Sequence, residues 1–352
     1  MPDAPSDRVV GLRSPASPSG PLLAELATAC PGRLGDVASY VALARAWSGR
    51  FPLPAGGRTA LRWEMLATLG AHDLQLARTV EPHVDALAIL AEAGAGVDVS
   101  FGGDGATGET YGVFASETPG HRLSADGDPV RLTGDKAWCS LGTELSSGLV
   151  TAWVDDTRRG LFVVDLRHPG VHASDDPWVA RGLRDVRSTA LSFDAVAATP
   201  LGAPGWYLER DGFAHGGLGV AAVWYGAAVA LWRRLALPSG RPPDQVARMH
   251  VGRAHVSLQA ARALLQETAG ELDAGRGDGA AGAVLAHTVR AAVAGAAEDV
   301  LARCEHGLGP APLVAEEEHA ARVADLRLYL RQHHAERDEA ALGALLLDGG
   351  RP

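Results

Sequence analysis

Two stretches of the chain carry residue types that can do chemistry. In Lys136-Ala-Trp138-Cys139-Ser140 an indole and a small hydroxyl stand two residues apart, so on an extended strand they share one face. A flat apolar wall with a hydroxyl at its edge suits a planar, hydrogen-bonding ligand, although the pair reads equally as a core Trp beside a locally satisfied Ser. In the second stretch, Val323, Leu326, Leu330 and His333 fall at helical spacing, which turns His333 inward. An unperturbed imidazole titrates near ~6.5 and serves as a general base at neutral pH; a satisfied core histidine is the plainer reading. His333, His334 and Glu336 make no metal site by pattern, because adjacent helical residues point about 100° apart and a third ligand group is lacking. His72-Asp73 and Glu81-Pro-His83 line a cavity or simply pack. Glu316-Glu-Glu318 reads as a solvated face near a helix start.

The elements that position these residues fall into three regions. From about Pro21 to Ala95 the apolar spacing is helical, with Leu69, His72, Leu76, Thr79 and His83 on one face and Gly94 as terminator. From about Val97 to Gly205, short apolar runs separated by Gly, Asp and Pro read as antiparallel strands. They are Thr110–Ser116, Val130–Thr133, Ala137–Ser140, Gly148–Val154, Gly160–Asp165 and Ala190–Phe193. Beyond Gly216 the chain is helical again, over Leu218–Leu235, Pro243–Ala274, Gly279–His306 and Glu316–Leu347, with Gly/Pro linkers between. The expected fold class is α+β, with domains at 1–96 (helices), 97–205 (β-domain) and 206–352 (four-helix bundle).

Composition bounds the function. The 352 residues are 47% hydrophobic, which excludes global disorder, and the formal charge of -10 without a dense basic stretch excludes a nucleic-acid-binding surface. Cys30, Cys139 and Cys304 are too few and too scattered for a disulfide framework or a zinc ribbon, which points to a reducing compartment. Met1 to Arg13 lacks the apolar run of a secretory signal. Gly212 to Trp232 is uncharged but holds five glycines, and reads as a buried bundle helix rather than a membrane span. The expectation is a cytoplasmic protein with no membrane span. Lys136 is the only lysine among the 32 basic residues.

The order of helices, sheet and bundle resembles the acyl-CoA dehydrogenase superfamily. Leu132-Thr-Gly-Asp-Lys136-Ala-Trp138-Cys139-Ser140 is similar to that family's Gly-x-Lys-x-Trp motif, and Tyr111 to Gly120 to its strand ending in Thr-Glu-Pro. Gly182-Leu-Arg184 through Phe193 to Pro200-Leu-Gly202 resembles the closing strand, while Ala260-Ala-Arg262 and His306-Gly-Leu-Gly309 fit the helices. The resemblance implies an FAD enzyme acting on a CH–CH bond of acyl-CoA or another acyl thioester, assembled as a homodimer or homotetramer. Trp138 would pack beside the isoalloxazine, with Phe114 on the same cofactor-binding wall. Ser140 would replace the threonine that bonds flavin N5, and Ser116 would reach the ring.

The same resemblance exposes three departures. The family's Gly-Ser-Asp that holds the FAD pyrophosphate is absent, leaving Arg122 or Ser124 to substitute. The family's base, a Glu eight residues after an Asp, becomes His333 when counted from Asp325. The other known position of the base, at the helix opening Gly216-Gly217-Leu218-Gly219, is uncharged. Three readings stay open: a dehydrogenase in which His333 takes the α proton with Ser140 at the flavin, a flavin-dependent monooxygenase using Ser140 with His333 or His334, and a non-catalytic subunit of a heteromer with a paralogue.

Overall fold

The computed structural model describes residues 8–12, 20–32, 34–94, 109–237 and 242–349. The expected boundary between 96 and 97 lies outside the described residues. The first helices are α1 (Gly20–Ala29), α2 (Val37–Trp47), α3 (Thr59–His72) and α4 (Leu74–Glu92). His72 and Leu76, expected on one helix, belong to two. Asp73 breaks the chain between them with an extended backbone, and its carboxylate caps α4 by accepting from the Gln75 and Leu76 amides.

Seven strands follow: β1 (Tyr111–Phe114), β2 (Leu123–Asp126), β3 (Arg131–Lys136), β4 (Ser147–Trp153), β5 (Arg159–Asp165), β6 (Val171–Ala173) and β7 (Leu191–Leu201). The pairing runs β4-β2-β3-β7-β5 and returns to β4, closing a barrel, with β1 added on β4 and β6 on β7. The expected all-antiparallel pairing needs correction. β1 and β2 both run parallel to β4, because the chain crosses the barrel between them instead of turning back in hairpins. Ala137–Ser140, expected as a strand, is an irregular turn.

The C-terminal helices are α5 (Trp206–Glu209), α6 (Asp211–Ala236), α7 (Gln245–Asp273), α8 (Gly279–Leu308), α9 (Ala311–Ala315), α10 (Glu317–Tyr329) and α11 (Glu336–Leu347). The single helix expected over Glu316–Leu347 is therefore broken after Tyr329. The break passes through a 3₁₀ turn, an extended His333 and Ala335 at φ 48. α6 and α8 are both long and apolar enough to span a membrane by length and composition, so α8 joins the stretch singled out from sequence. The apolar window of α6 is 78% buried inside the protein, that of α8 only 39%. α3 and α6 cross with backbones in contact at Ala67/Gly226 and Gly70/Val223.

Candidate functional site

β3 delivers Lys136 into the barrel and releases the chain into a turn that sets Trp138 and Ser140. Lys136 is buried, and its ammonium donates to Glu117 at 2.5 Å and to Thr151 at 2.8 Å. Arg159 reaches the same carboxylate at 3.0 Å, and the Trp153 indole N–H at 3.3 Å. Burial alone would raise the Glu117 carboxyl, but the two cations outweigh it and hold it below its ordinary value. Lys136→Met is expected to destabilise the fold by about 2 kcal/mol, less than a fully buried pair costs, because Glu117 keeps Arg159 and some solvent. Urea melts of the two proteins measure it; an unchanged midpoint would remove this network from the account of stability.

The turn after Lys136 is backbone-strained. Trp138 at φ 60 and Leu141 at φ 55 are left-handed without being glycine, a conformation that costs of order 1 kcal/mol or more each. Amide bonds from Cys139 to the Thr189 carbonyl and from Leu141 to the Arg187 carbonyl hold it. The result is an indole 54% exposed on the barrel's edge, its N–H fixed by donation to Thr118 at 3.0 Å. Ser140 sits behind it, half-buried, hydrogen-bonded to the Ser188 hydroxyl at 2.7 Å and accepting from Arg78 at 3.1 Å.

The remaining expected residues distribute unevenly. Ser116 is exposed on the same edge as Trp138. Phe114 is buried, with its ring over Gly112 and Gly148 in the barrel interior. Ser124 lies on β2 opposite Thr133. Arg122 stacks on the Trp153 ring at 4.8 Å and faces Asp156 at 3.6 Å. Next to it, His121 holds a buried, unpartnered Nδ1. His333 is buried beyond the end of α10, its Nε2 3.9 Å from the Asp338 carboxylate and otherwise unpartnered; burial lowers it from the ordinary histidine value against the pull of Asp338. Among the described residues no hydrogen bond or ion pair joins His333 to Ser140. His334, exposed, pairs with Asp338 as well. No group of three or more metal-ligating side chains occurs among the described residues.

Of the inner wall, sequence reasoning named only Glu81, within Glu81-Pro-His83, and missed the rest. Arg78, Glu81 and Asp85 lie at i, i+3 and i+7 on one face of α4, a signal present in the sequence. They meet Arg62 from α3, Arg290 from α8 and Tyr329 at the end of α10. The bundle is tied to the barrel nearby, where the Leu183 amide donates to Asp325 at 2.5 Å and the Asp185 amide to Gln75 at 2.7 Å. Between Arg78, Thr79, Pro82, Phe114 and Ser140 a void of only about 10 Å³ remains, so the inner crevice is filled by side chains while the outer face of Trp138 is open. A larger cavity of about 750 Å³ lies away from this chemistry, where the end of α6 meets the start of α10. Its lining mixes arginines with Glu316–Glu318, and Arg234 is already paired to Glu316 at 2.5 Å.

This architecture of N-terminal helices, closed barrel and C-terminal helices is the acyl-CoA dehydrogenase-like fold. Solved structures similar to it include KijD3 in complex with FMN and dTDP-3-amino-2,3,6-trideoxy-4-keto-3-methyl-D-glucose, at TM-score 0.75 and 18% identity, covering 98% of this chain and 97% of that one. FMN-bound TdsC from Paenibacillus sp. A11-2, a dibenzothiophene monooxygenase, matches at 0.74 and 17%, covering 91% and 92%. Butyryl-CoA dehydrogenase from Megasphaera elsdenii matches at 0.73 and 16%, covering 89% and 90%. No protein-family model matches the chain, and no curated protein is significantly similar to it.

Proposed function

We propose that this protein is a flavin-dependent oxidoreductase that holds its flavin, FMN or FAD, against Trp138. The observation that carries this reading is the exposed indole on a strained turn, hydrogen-bonded at its edge to Thr118 and backed by the Ser140–Ser188 hydroxyl pair. A solvent-facing indole held in a costly backbone conformation is a wall waiting for a planar partner. The orphaned His121 Nδ1 beside Arg122 and Ser124 supplies polar groups for the cofactor's phosphate end. Ser140 and Ser116 would hydrogen-bond the ring edge. Bound flavin supplies the two-electron redox centre; the protein orients it and excludes water behind it.

Of the two enzymatic readings, oxygen-dependent hydroxylation fits better than dehydrogenation of an acyl thioester. The position expected for a base carboxylate is His333, which faces Asp338 instead of Ser140, and the inner wall carries charges where an alkyl chain needs apolar side chains. Two of the similar structures, moreover, hold FMN. The oxygenation is balanced when reduced flavin gives two electrons, one oxygen atom enters the substrate and the other leaves as water.

Titration of the flavin-free protein with FMN and with FAD, read by quenching of flavin fluorescence, tests the cofactor. Wild type is expected to quench one of them, and Trp138→Ala to lose affinity by about tenfold or more, the worth of one stacked aromatic face. A wild type that quenches neither overturns the proposal. Oxygen uptake with reduced flavin then separates hydroxylation from dehydrogenation, which butyryl-CoA would reveal by bleaching the flavin anaerobically.

We further read the protein as a cytoplasmic homo-oligomer. α8 is apolar yet largely uncovered, and Val246, Met249 and Val256 present an exposed stripe on α7. Val256→Glu is expected to shift the mass measured by light scattering toward the monomer; an unchanged mass would place the interface elsewhere.

A further inference from the structure

Behind Ser140 three guanidiniums are held by carbonyls and a hydroxyl rather than by carboxylates. Among the described residues, none of the three guanidiniums there lies within ion-pair distance of an acid. Arg62 donates to the carbonyls of Pro52 at 2.8 Å and Val84 at 3.1 Å, and Arg290 to those of Gly217 at 2.7 Å and Gln332 at 2.8 Å. Arg78 donates once, to the Ser140 hydroxyl, and its guanidinium stands 5.7 Å from the centre of the Tyr329 ring. A guanidinium has five N–H donors, so most of those of Arg78 have no protein acceptor.

Nor are the acids nearby fully ionised. Glu81, fully buried, is pushed up to about 7 by that burial and by neighbouring Asp85, so near neutral pH much of it is protonated. Asp85 is raised in the same way. The Trp224 indole N–H is buried without a partner, and the Tyr329 hydroxyl has no well-formed hydrogen bond, only the Glu81 carboxyl as its neighbour. Their rings meet edge to face at 6.3 Å, and Arg290 lies over Trp224 at 4.9 Å. Unpartnered buried donors and carbonyl-held cations are costly in a closed core and become favourable once an anion arrives.

We propose that the inner end of the crevice is an oxyanion site in which Arg78, over the Tyr329 ring, selects a small substrate bearing a carboxylate or phosphate. This rests on the flavin reading for its role in catalysis, since Ser140, the partner of Arg78, is the hydroxyl assigned to the ring edge. The void of about 10 Å³ is too small for such a group with Arg78 in place, so the side chain leaves Ser140 to take up the anion and opens the pocket as it does. Arg78 is thus a specificity-determining residue, and the site discriminates against the uncharged alkyl chain of a fatty acyl group.

Isothermal titration at pH 7 with sodium butyrate, inorganic phosphate and butyramide tests this, in the flavin-free and the FMN-mixed protein. At least one anion is expected to bind about tenfold or more tighter than butyramide, in line with a charge-assisted guanidinium contact. The tighter of the two anions tells carboxylate from phosphate. Arg78→Met is expected to lose that preference with an unchanged melting temperature, and Arg78→Lys to keep part of it. Equal binding of butyramide and both anions, no anion binding in either form, or an Arg78→Met variant that still prefers the anion overturns the proposal. Failure to quench either FMN or FAD overturns the flavin reading alone, because the anion titration is also read without flavin.

Discussion

Gly226→Ala is expected to leave the protein unfolded, or destabilised by more than about 4 kcal/mol, the range reserved for gross backbone overlap. A Cβ at Gly226 would sit 1.9 Å from the Ala67 carbonyl oxygen, and one at Gly70 would sit 2.3 Å from that of Val223. Both obstacles are backbone, so no rotamer change relieves them. The two contacts are three residues apart on each helix and run antiparallel, so either methyl forces α3 and α6 apart along the whole crossing. That crossing buries Trp63, Leu66, Leu218 and Trp224, and separating it opens the core on which α4 and the inner wall are laid. Gly270→Ala on α7 is the control, since its Cβ would meet nothing within 4 Å; there the loss of chain freedom in the unfolded state should stabilise by about 0.5–1 kcal/mol. Soluble yield and urea midpoints read both. A Gly226→Ala protein that melts like wild type would mean that the helices do not pack this closely.

The glycines that permit this crossing were visible as a cluster in an uncharged stretch, but their role was not, because small residues in a helix mark close approach without naming the partner. Much else in the fold was legible for a simple reason: its periodicities are those of the finished elements. α7 and α8 begin and end where Asp244, Gly275 and Gly309 punctuate the apolar pattern, and β4 and β5 are near-continuous apolar runs. β2 and β6 went unread since Leu123–Asp126 and Val171–Ala173 are only four and three residues long and carry no apolar run, and gain their strand character only from neighbours. The break at His333 escaped because its helical spacing with Leu326 and Leu330 is intact in the sequence, while the backbone leaves the helix after Tyr329 through a 3₁₀ turn and an extended His333.

At the candidate site the split is similar. The Lys136-x-Trp138-x-Ser140 spacing located the turn, yet strand alternation was the wrong frame for it. The indole and the hydroxyl are separated not by a pleat but by positive-φ geometry that no local propensity announces. The charged face of α4 was written in the sequence as Arg78, Glu81 and Asp85, but only Glu81 was read as facing a cavity, and three other helices close over the face. Burial is a property of the assembled chain, and charge spacing alone does not reveal it.

The second large effect is a pH dependence partly hidden by compensation. His83 is buried, with its Nδ1 accepting the Tyr111 amide at 3.1 Å, which leaves Nε2–H to donate to the Ser48 hydroxyl at 2.7 Å. The Tyr111 bond requires the neutral ring, since a protonated Nδ1 cannot accept, and burial, helped by Arg45, pushes its pKa down to about 4. The unfolded ring titrates near ~6.5. Between those values the unfolded chain binds the extra proton, so stability falls as the pH drops through this window, by up to about 3 kcal/mol. Glu81 and Asp325 act in the opposite sense. Burial raises each to about 7, so the folded chain binds the extra proton above their ordinary values near ~4, and their contribution is present in acid and lost as the pH rises through 7. Over pH 7 to pH 5 each carboxyl gains about 2 kcal/mol and His83 loses about 2, so the wild-type protein is expected to melt higher at pH 5, with part of the rise hidden by the imidazole. His83→Gln removes the acid-labile member and should melt higher at pH 5 than at pH 7, whatever its loss of stability at neutral pH. Asp325→Asn removes one of the two opposing carboxyls, and its melting temperature should change little over the same range. The size of each slope is the test: a His83→Gln protein that parallels wild type across this range would show that the imidazole already titrates normally in the folded state, and that the Tyr111 bond does not hold it neutral.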